Sequence, residues 1–366
     1  MSDLPLFYFT YFTLVFVISI LMDGLFLKFS KTLGIRKSEG TVRWTDVYKP
    51  AIGGITFYIT FLLSLITYSL FFYSPQILMH TQILGLLSTG TIAFLMGLAD
   101  DAYDTNPILK FSSQVLCGII LIYSGIYIQV FSNIYLNYII TMVWVVGLMN
   151  SINLLDNMDA IASIVALGAL STMITIVLLE KSITTVFFIL MLGTSSCILA
   201  FLFFNWHPSK MYMGDTGTQF LGLFMAALSI FFLWNGTNSS LSLSPEKRII
   251  SAVLTFALPI IDTTIVFFNR LLKGNSPFIG GKDHTTHHLY YLGLKETQIA
   301  ILYIVYTGIC FAGVIVMYRC VFTWSKLYSV ILATFFTLSL VALFVVTKIG
   351  EIRNANSLKI KDANKD

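Results

Sequence analysis

Carboxylates and carboxamides recur where apolar segments end: Asp100, Asp101 and Asp104, then Asn153, Asp156 and Asp159, then Asp215. In so apolar a chain, ionised side chains persist only where they pair, bind a cation or line a wet cavity, so the set marks a functional site by default. The first element runs from Gly97 to Asp104 and is followed by Lys110 and Gln114 where the next helix begins. Adjacent carboxylates about 4 Å apart, at an effective dielectric near 20, repel by about 4 kcal/mol, so a lysine or a metal ion must sit among them. The second element places Asn150, Asn153, Asp156 and Asp159 at every third position, which on a helix is one slowly drifting face. Hard oxygens presented in this way suit Mg²⁺ or Mn²⁺, bound through one or two carboxylates together with substrate phosphates.

The third element, Tyr212 to Thr218, closes a loop and opens an apolar helix. Gly214 and Gly217 let the backbone approach a ligand, and the amides of a helix start favour phosphate oxygens. Lys49-Pro50 with Gly53-Gly54 adds a cation and a tight backbone, and Lys282 to His288 adds three histidines that could donate to phosphates or shuttle protons. A zinc reading of His284, His287 and His288 lacks a cysteine or carboxylate at ligand spacing. Asp23 and Asp262 are lone intramembrane acids for which simple pairing is as good a reading as function. His80 and His207 read as ordinary loop residues.

The elements that hold these groups follow from composition. The 366 residues are 57% hydrophobic and 11% charged, with a net charge of +4 and a mean hydropathy of +0.83. Such a chain is an integral membrane protein, and its spread basic residues form no stripe for nucleic acid. Cys117, Cys197, Cys310 and Cys320 stand singly and indicate neither a disulfide framework nor a zinc site. Apolar runs near 6–29, 52–73, 81–99, 111–131, 137–155, 161–179, 183–204, 218–234, 249–268, 298–317 and 327–349 predict an all-α polytopic fold of about eleven transmembrane helices. The first run is too long for a signal-peptide core and lacks basic residues before it, so it reads as a span. One catalytic domain over 1–350 and a polar tail over 351–366 are expected.

Lys31, Arg36, Lys37, Arg43 and Lys49 crowd the first loop, Arg270, Lys273, Lys282 and Lys295 the ninth, and Lys348, Arg353, Lys359, Lys361 and Lys365 the tail. Cytoplasmic loops carry the excess of Lys and Arg, so the N-terminus is expected outside and the C-terminus in the cytoplasm. Every polar element above then lies on the cytoplasmic face of the inner membrane.

In this order the elements resemble the polyprenyl-phosphate N-acetylhexosamine-1-phosphate transferases. Five motifs carry the likeness: Lys49-Pro50 with Gly53-Gly54; Asp100-Asp101 through Lys110 and Gln114; Asn150 through Asp159; Gly214 through Thr218; and Arg270 through the histidine loop. The branch is similar to the enzymes that begin O-antigen, common-antigen or teichoic acid synthesis. The muramyl-pentapeptide branch usually has consecutive histidines, where Thr285 and Thr286 interrupt here.

The resemblance implies Mg²⁺ as cofactor, with Mn²⁺ as an alternative, held by Asn153 and Asp215, and Asp100 with Asp101 as the catalytic acids. It implies that Lys49 and Lys110 lie near the phosphates, that Tyr212 stacks on uracil, and that Asp159 lies near the nucleobase. Asp156, Arg270, His284, His287 and His288 complete the substrate contacts. Asn157 and Ala160 stand where the family often has glycine. The implied reaction moves an N-acetylhexosamine 1-phosphate, GlcNAc being the first choice, from a UDP-sugar to undecaprenyl phosphate, releasing UMP. The expected partners are UDP-N-acetylhexosamine, undecaprenyl phosphate and membrane lipids, with homodimerisation open. A competing class is a secondary transporter that uses the acids as a relay, although transporters hold such groups near the midplane on broken helices. A CDP-alcohol phosphotransferase, suggested by Asp156-x-x-Asp159, fails because Ala160 and Ser163-Ile164 follow.

Overall fold

Long runs of Leu, Ile, Val and Phe inside hydrocarbon must satisfy every backbone group internally, and helices do so. The computed structural model describes residues 4–30, 49–72, 79–181, 183–236, 244–274, 281–321 and 323–363, with side chains to 356. Within them lie α1 (Leu4–Phe29), α2 (Gly53–Phe71), α3 (Thr81–Tyr103), α4 (Pro107–Tyr123), α5 (Ile134–Leu155), α6 (Ile161–Leu179) and α7 (Val186–Asn205). The chain continues through α8 (Gly214–Ser229, extended by a π-turn over Ile230–Trp234), α9 (Pro245–Thr255), α10 (Ala257–Leu272), α11 (Thr285–Tyr291), α12 (Glu296–Cys320) and α13 (Lys326–Ala363). Lys31, Arg36, Lys37, Arg43 and Lys365, which entered the orientation argument, lie outside the described residues.

Among the described residues nine helices are long and apolar enough to cross a bilayer, and the bent pair α9–α10 makes a tenth. The 17-residue α4 is apolar but shorter than those. The expected all-α polytopic architecture is therefore present. Pro259 accounts for the 72° bend, because it cannot donate to the Thr255 carbonyl and its ring crowds that group.

Successive spans run in alternating directions, the bent pair α9–α10 counting as one. At one end of the bundle the Tyr8 hydroxyl donates to the Ile183 carbonyl at 2.6 Å, and Lys247 Nζ to the Val321 carbonyl at 3.1 Å. At the other end lie the last turns of α3, α5 and α7 and the first turns of α2, α4, α6, α8 and α12. The start of α1 is thus at the first end and the end of α13 at the second, with the polar motifs. The last helix runs on to Ala363, past the expected domain limit.

The interior belongs to α8, in which every residue from Gly214 to Ser229 except Asp215 is buried. It packs against α2, α3 and α5. Glycines allow this approach: a Cβ on Gly54 would lie 2.1 Å from the Gly217 nitrogen, and one on Gly97 2.3 Å from the Asp215 carbonyl oxygen. Gly217 was expected to admit a ligand; in the structure it admits a helix, since small residues let membrane helices meet backbone to backbone. The start of α8 also comes earlier than expected, which puts Asp215 in its first turn, where the helix dipole favours a carboxylate.

Gly97→Ala is therefore expected to destabilise the purified protein by about 1–3 kcal/mol through overpacking against rigid backbone. Gly147→Ala, where a Cβ meets nothing within 4 Å, serves as the neutral control. Unfolding midpoints in detergent measure both, and equal midpoints would contradict the packing argument.

Candidate active site

At the motif end, α3 delivers two adjacent carboxylates with different partners. Asp101 faces the start of α8: its Oδ1 accepts from the Asp215 N–H at 2.9 Å, and its Oδ2 from the Thr216 N–H at 2.8 Å and the Thr216 hydroxyl at 2.6 Å. It caps a neighbouring helix, filling donors that the helix cannot satisfy itself. Gly214, with φ +71°, makes room, since a Cβ there would lie 2.6 Å from Asp101 Oδ2. Asp100 faces the site. Its Oδ2 takes Lys110 Nζ at 2.7 Å, while its Oδ1 takes the Thr105 N–H at 2.9 Å and the Thr105 hydroxyl.

Lys110 also lies 3.0 Å from Asp215 Oδ2, so one ammonium bridges acids from α3 and α8. This is the positive group that adjacent carboxylates require. From α5, Asn153 Nδ2 donates to Asp215 Oδ1 and, at 2.8 Å, to the Thr218 hydroxyl. Beneath them Gln114, Asn150 and Gln219 join α4, α5 and α8 through amide bonds of 2.8–3.2 Å. Asp100, Asp101, Lys110, Asn153 and Asp215 thus form one cluster contributed by four helices.

A second cluster adjoins it through the segment 212–215. The chain over 50–54 runs beside Tyr212–Met213 in parallel, with Tyr212 N–H on the Pro50 carbonyl at 3.0 Å and Gly53 N–H on the Tyr212 carbonyl at 3.1 Å. That pairing sets Lys49 Nζ 5.0 Å from the centre of the Tyr212 ring, within reach of a cation–π contact. Lys49 Nζ bonds both Asp159 oxygens at 3.2 and 3.3 Å and the Ser209 hydroxyl at 2.8 Å. Asp159 is further held by the Ser209 N–H at 3.0 Å, the Ser209 hydroxyl at 2.7 Å and His207 Nδ1 at 3.0 Å. Burial alone would raise the Asp159 carboxyl, but the Ser209 bonds, the Lys49 charge and His207 outweigh it and hold the group below the ordinary carboxylate range.

Residues 83–233, which contain Asp100, Asp101, Lys110, Asn153, Asp159 and Asp215, match glycosyl transferase family 4. The chain is similar to a probable undecaprenyl-phosphate N-acetylglucosaminyl 1-phosphate transferase of Bacillus subtilis, at 25% identity over 300 residues covering 80% of this chain and 79% of the relative. It is also similar to a decaprenyl-phosphate N-acetylglucosaminephosphotransferase of Mycobacterium leprae (25% identity; 62% of each chain). A phospho-N-acetylmuramoyl-pentapeptide-transferase of Heliobacterium modesticaldum shares 30% identity over 56% of this chain and 66% of its own. With the acids at one end of the bundle and relatives that are transferases, the transporter reading has no support.

The histidine loop forms a third cluster, more enclosed than its family role suggested. Asp262 of α10 accepts from His284 Nδ1 at 2.9 Å, the Thr285 N–H at 2.8 Å and the Thr285 hydroxyl at 2.7 Å. It steadies α11 much as Asp101 steadies α8. Arg270 pairs with Asp283 through two bonds of 2.7 Å. His284, His287 and His288 are all buried, and the start of α11 is tied to the loop after α5 by the Thr286 hydroxyl donating to Asn157 Oδ1 at 2.7 Å. Two departures from the family pattern, Asn157 and Thr286, are thus partners. Ala160, the other departure, sits at φ +68°, a left-handed conformation for which glycine is the unstrained choice. Asp156 ends α5 on the same loop, half-buried.

Sequence reasoning missed His207, Ser209, Glu296 and Asn205. Asn205 accepts from the Ala160 N–H at 3.1 Å and donates to the Met211 carbonyl at 3.1 Å, fixing the loop that carries His207. The available signal was an Asn-x-His-x-Ser string just before Tyr212. His80 lies at the opposite end, before α3.

Burial, with His284 beside it adding to the effect, pushes the His287 imidazole from its ordinary 6.5 down to about 3. An unfolded chain takes up that proton near pH 6.5 and the folded chain does not, so this contribution to stability is complete above pH 6.5 and declines as the pH falls toward 3. Asp159, shifted down from 3.8, contributes above its unfolded value and loses that contribution only below about pH 4. Between pH 6.5 and 4.5 wild-type stability is expected to fall by up to about 1 kcal/mol per pH unit more steeply than that of His287→Gln. Chemical unfolding in detergent measures both slopes, and parallel slopes would refute the assignment.

Proposed function

We propose that this chain transfers N-acetylglucosamine 1-phosphate from UDP-N-acetylglucosamine to a polyprenyl phosphate, undecaprenyl phosphate by preference, releasing UMP. The reaction would be the first membrane step of a cell-surface polysaccharide, carried out at the cytoplasmic face of the inner membrane. The convergence of Asp100, Lys110, Asn153 and Asp215 from four helices at one end of the bundle, beside Lys49 and Tyr212, carries this reading. The names of the relatives support the sugar and the lipid class.

The donor set fits a divalent ion. Carboxylates of Asp100 and Asp215 and the carboxamide of Asn153 are hard oxygen donors on three helices, and Asn153 already touches Asp215; a half-turn of the amide would present its oxygen there instead. Such a set suits Mg²⁺, or Mn²⁺, sharing its remaining positions with phosphates. When bound, the ion would supply positive charge to the pyrophosphate oxygens and to departing UMP.

The protein's own residues do the rest by positioning and neutralisation, which is what phosphoryl transfer requires. An oxygen of the lipid phosphate attacks the β-phosphorus of the UDP-sugar, forming one P–O bond while the bond to the UMP oxygen breaks. The lipid phosphate is largely ionised at pH 7, its second pKa being about 6, so no side chain has to remove a proton. Lys110, a point charge on a flexible stem, would pass from Asp215 to the reacting phosphates, and Asp100 would hold it within reach. Asp101 would act through the start of α8, keeping Asp215 in place. Tyr212 offers a ring for uracil, and Lys49 a charge beside it. Arg270 and the histidines would hold the start of α11 beside the donor site.

Purified protein given undecaprenyl phosphate, Mg²⁺ and a panel of radiolabelled UDP-sugars is expected to yield labelled lipid with UDP-N-acetylglucosamine. Absence of product with every UDP-N-acetylhexosamine would overturn the reading. Asp215→Asn is expected to insert normally and to lose roughly 100-fold or more in turnover, the scale of removing one preorganised charge contact. Near-normal UMP release from that variant would reject its proposed role.

A further inference from the structure

His207 and Glu296 have no part in the roles above, yet they touch the floor of the nucleotide-side cluster. His207 Nδ1 lies 2.7 Å from Glu296 Oε2 and 3.0 Å from Asp159 Oδ2. Glu296 is the first residue of α12 and its side chain is only 12% exposed. The hydrogen bond runs to Asp159, whose carboxylate accepts and does not donate, so Nδ1 carries the proton. The three ligand atoms lie within 4.8 Å of one another, close enough to hold a metal. The Lys49 ammonium, however, already sits on both Asp159 oxygens, and a protonated nitrogen is a donor, not a ligand.

The contacts form a chain: Glu296 at the start of α12, His207 after α7, Asp159 before α6, and Lys49 before α2, whose ammonium stands over Tyr212. Asp159 accepts from Lys49, Ser209 and His207 together, so it positions its neighbours instead of reaching for a ligand. Removing the imidazole would leave the Glu296 and Asp159 carboxylates facing each other without the ring between them, and their repulsion would turn Asp159, and Lys49 with it, away from its present position.

We propose that His207, anchored by Glu296, is a positioning residue that fixes the Lys49 ammonium, through Asp159, at the nucleotide face of the site and so sets affinity for the UDP moiety. The proposal rests on the donor reading above and adds the residues that tune donor affinity.

Two measurements test it: steady-state kinetics with UDP-N-acetylglucosamine and undecaprenyl phosphate, and calorimetric binding of UDP with Mg²⁺ to the full-length protein. His207→Ala is expected to raise the donor KM and the UDP Kd about ten-fold, with kcat within about two-fold and the lipid KM unchanged, the signature of lost uniform binding. Adding Glu296→Gln to His207→Ala removes one of the facing charges and is expected to recover most of that loss, a coupling that residues in contact display. Unchanged UDP affinity in His207→Ala, or loss of turnover that Glu296→Gln does not relieve, overturns the proposal. Wild-type protein that binds UDP but turns over no UDP-sugar would count against the reaction while the binding arm still decides the role of His207; wild-type protein that binds no UDP would remove both.

Discussion

Carboxylates at the margin of a bilayer have to be compensated where they stand, and the account depends on how Lys110 and the start of α8 do this for Asp100, Asp101 and Asp215. One ammonium bridges Asp100 and Asp215, and two backbone amides with one hydroxyl satisfy Asp101. Burying charge without such partners costs far more than a helix bundle can spare. The arrangement therefore fixes α3, α4, α5 and α8 relative to one another while it gathers the acids. Glycines at 54, 97 and 217 are the steric counterpart, since the polar contacts close only when the backbones come within reach.

The same device recurs at the edge of the site. Asp262 holds the start of α11 as Asp101 holds the start of α8, and the Thr286–Asn157 bond ties that short helix to the loop after α5. In both places an acid on one helix caps another, so its importance lies in what it orients. This separates Asp100 from Asp101 although they are neighbours in sequence: one faces Lys110, the other the backbone of α8.

Much of this was legible in the sequence. The spans could be read because lipid leaves the backbone no other solution, and the clustering of acids at one end followed from their places in those spans. The motifs pointed to the transferases that the chain resembles. The division of labour between Asp100 and Asp101 was not legible, because it depends on which side of α3 meets α8. The roles of Gly54 and Gly217 were hidden for the same reason: a glycine that admits a ligand and one that admits a helix look alike in a string. His207 looked ordinary because its partners, Asp159 and Glu296, lie in distant segments. The bend at Pro259, inside the ninth apolar run, was not read from the sequence, where 249–268 stood as one unbroken span.

The central claim is that oxygens from Asn153 and Asp215 grip one divalent ion where the helices converge. Electron paramagnetic resonance of Mn²⁺ titrated into purified protein in the presence of UDP measures this directly. One tightly held ion per chain is expected, lost in Asp215→Asn, weakened in Asn153→Ala and kept in Asp262→Asn. Equal Mn²⁺ binding by wild type and Asp215→Asn would contradict the account.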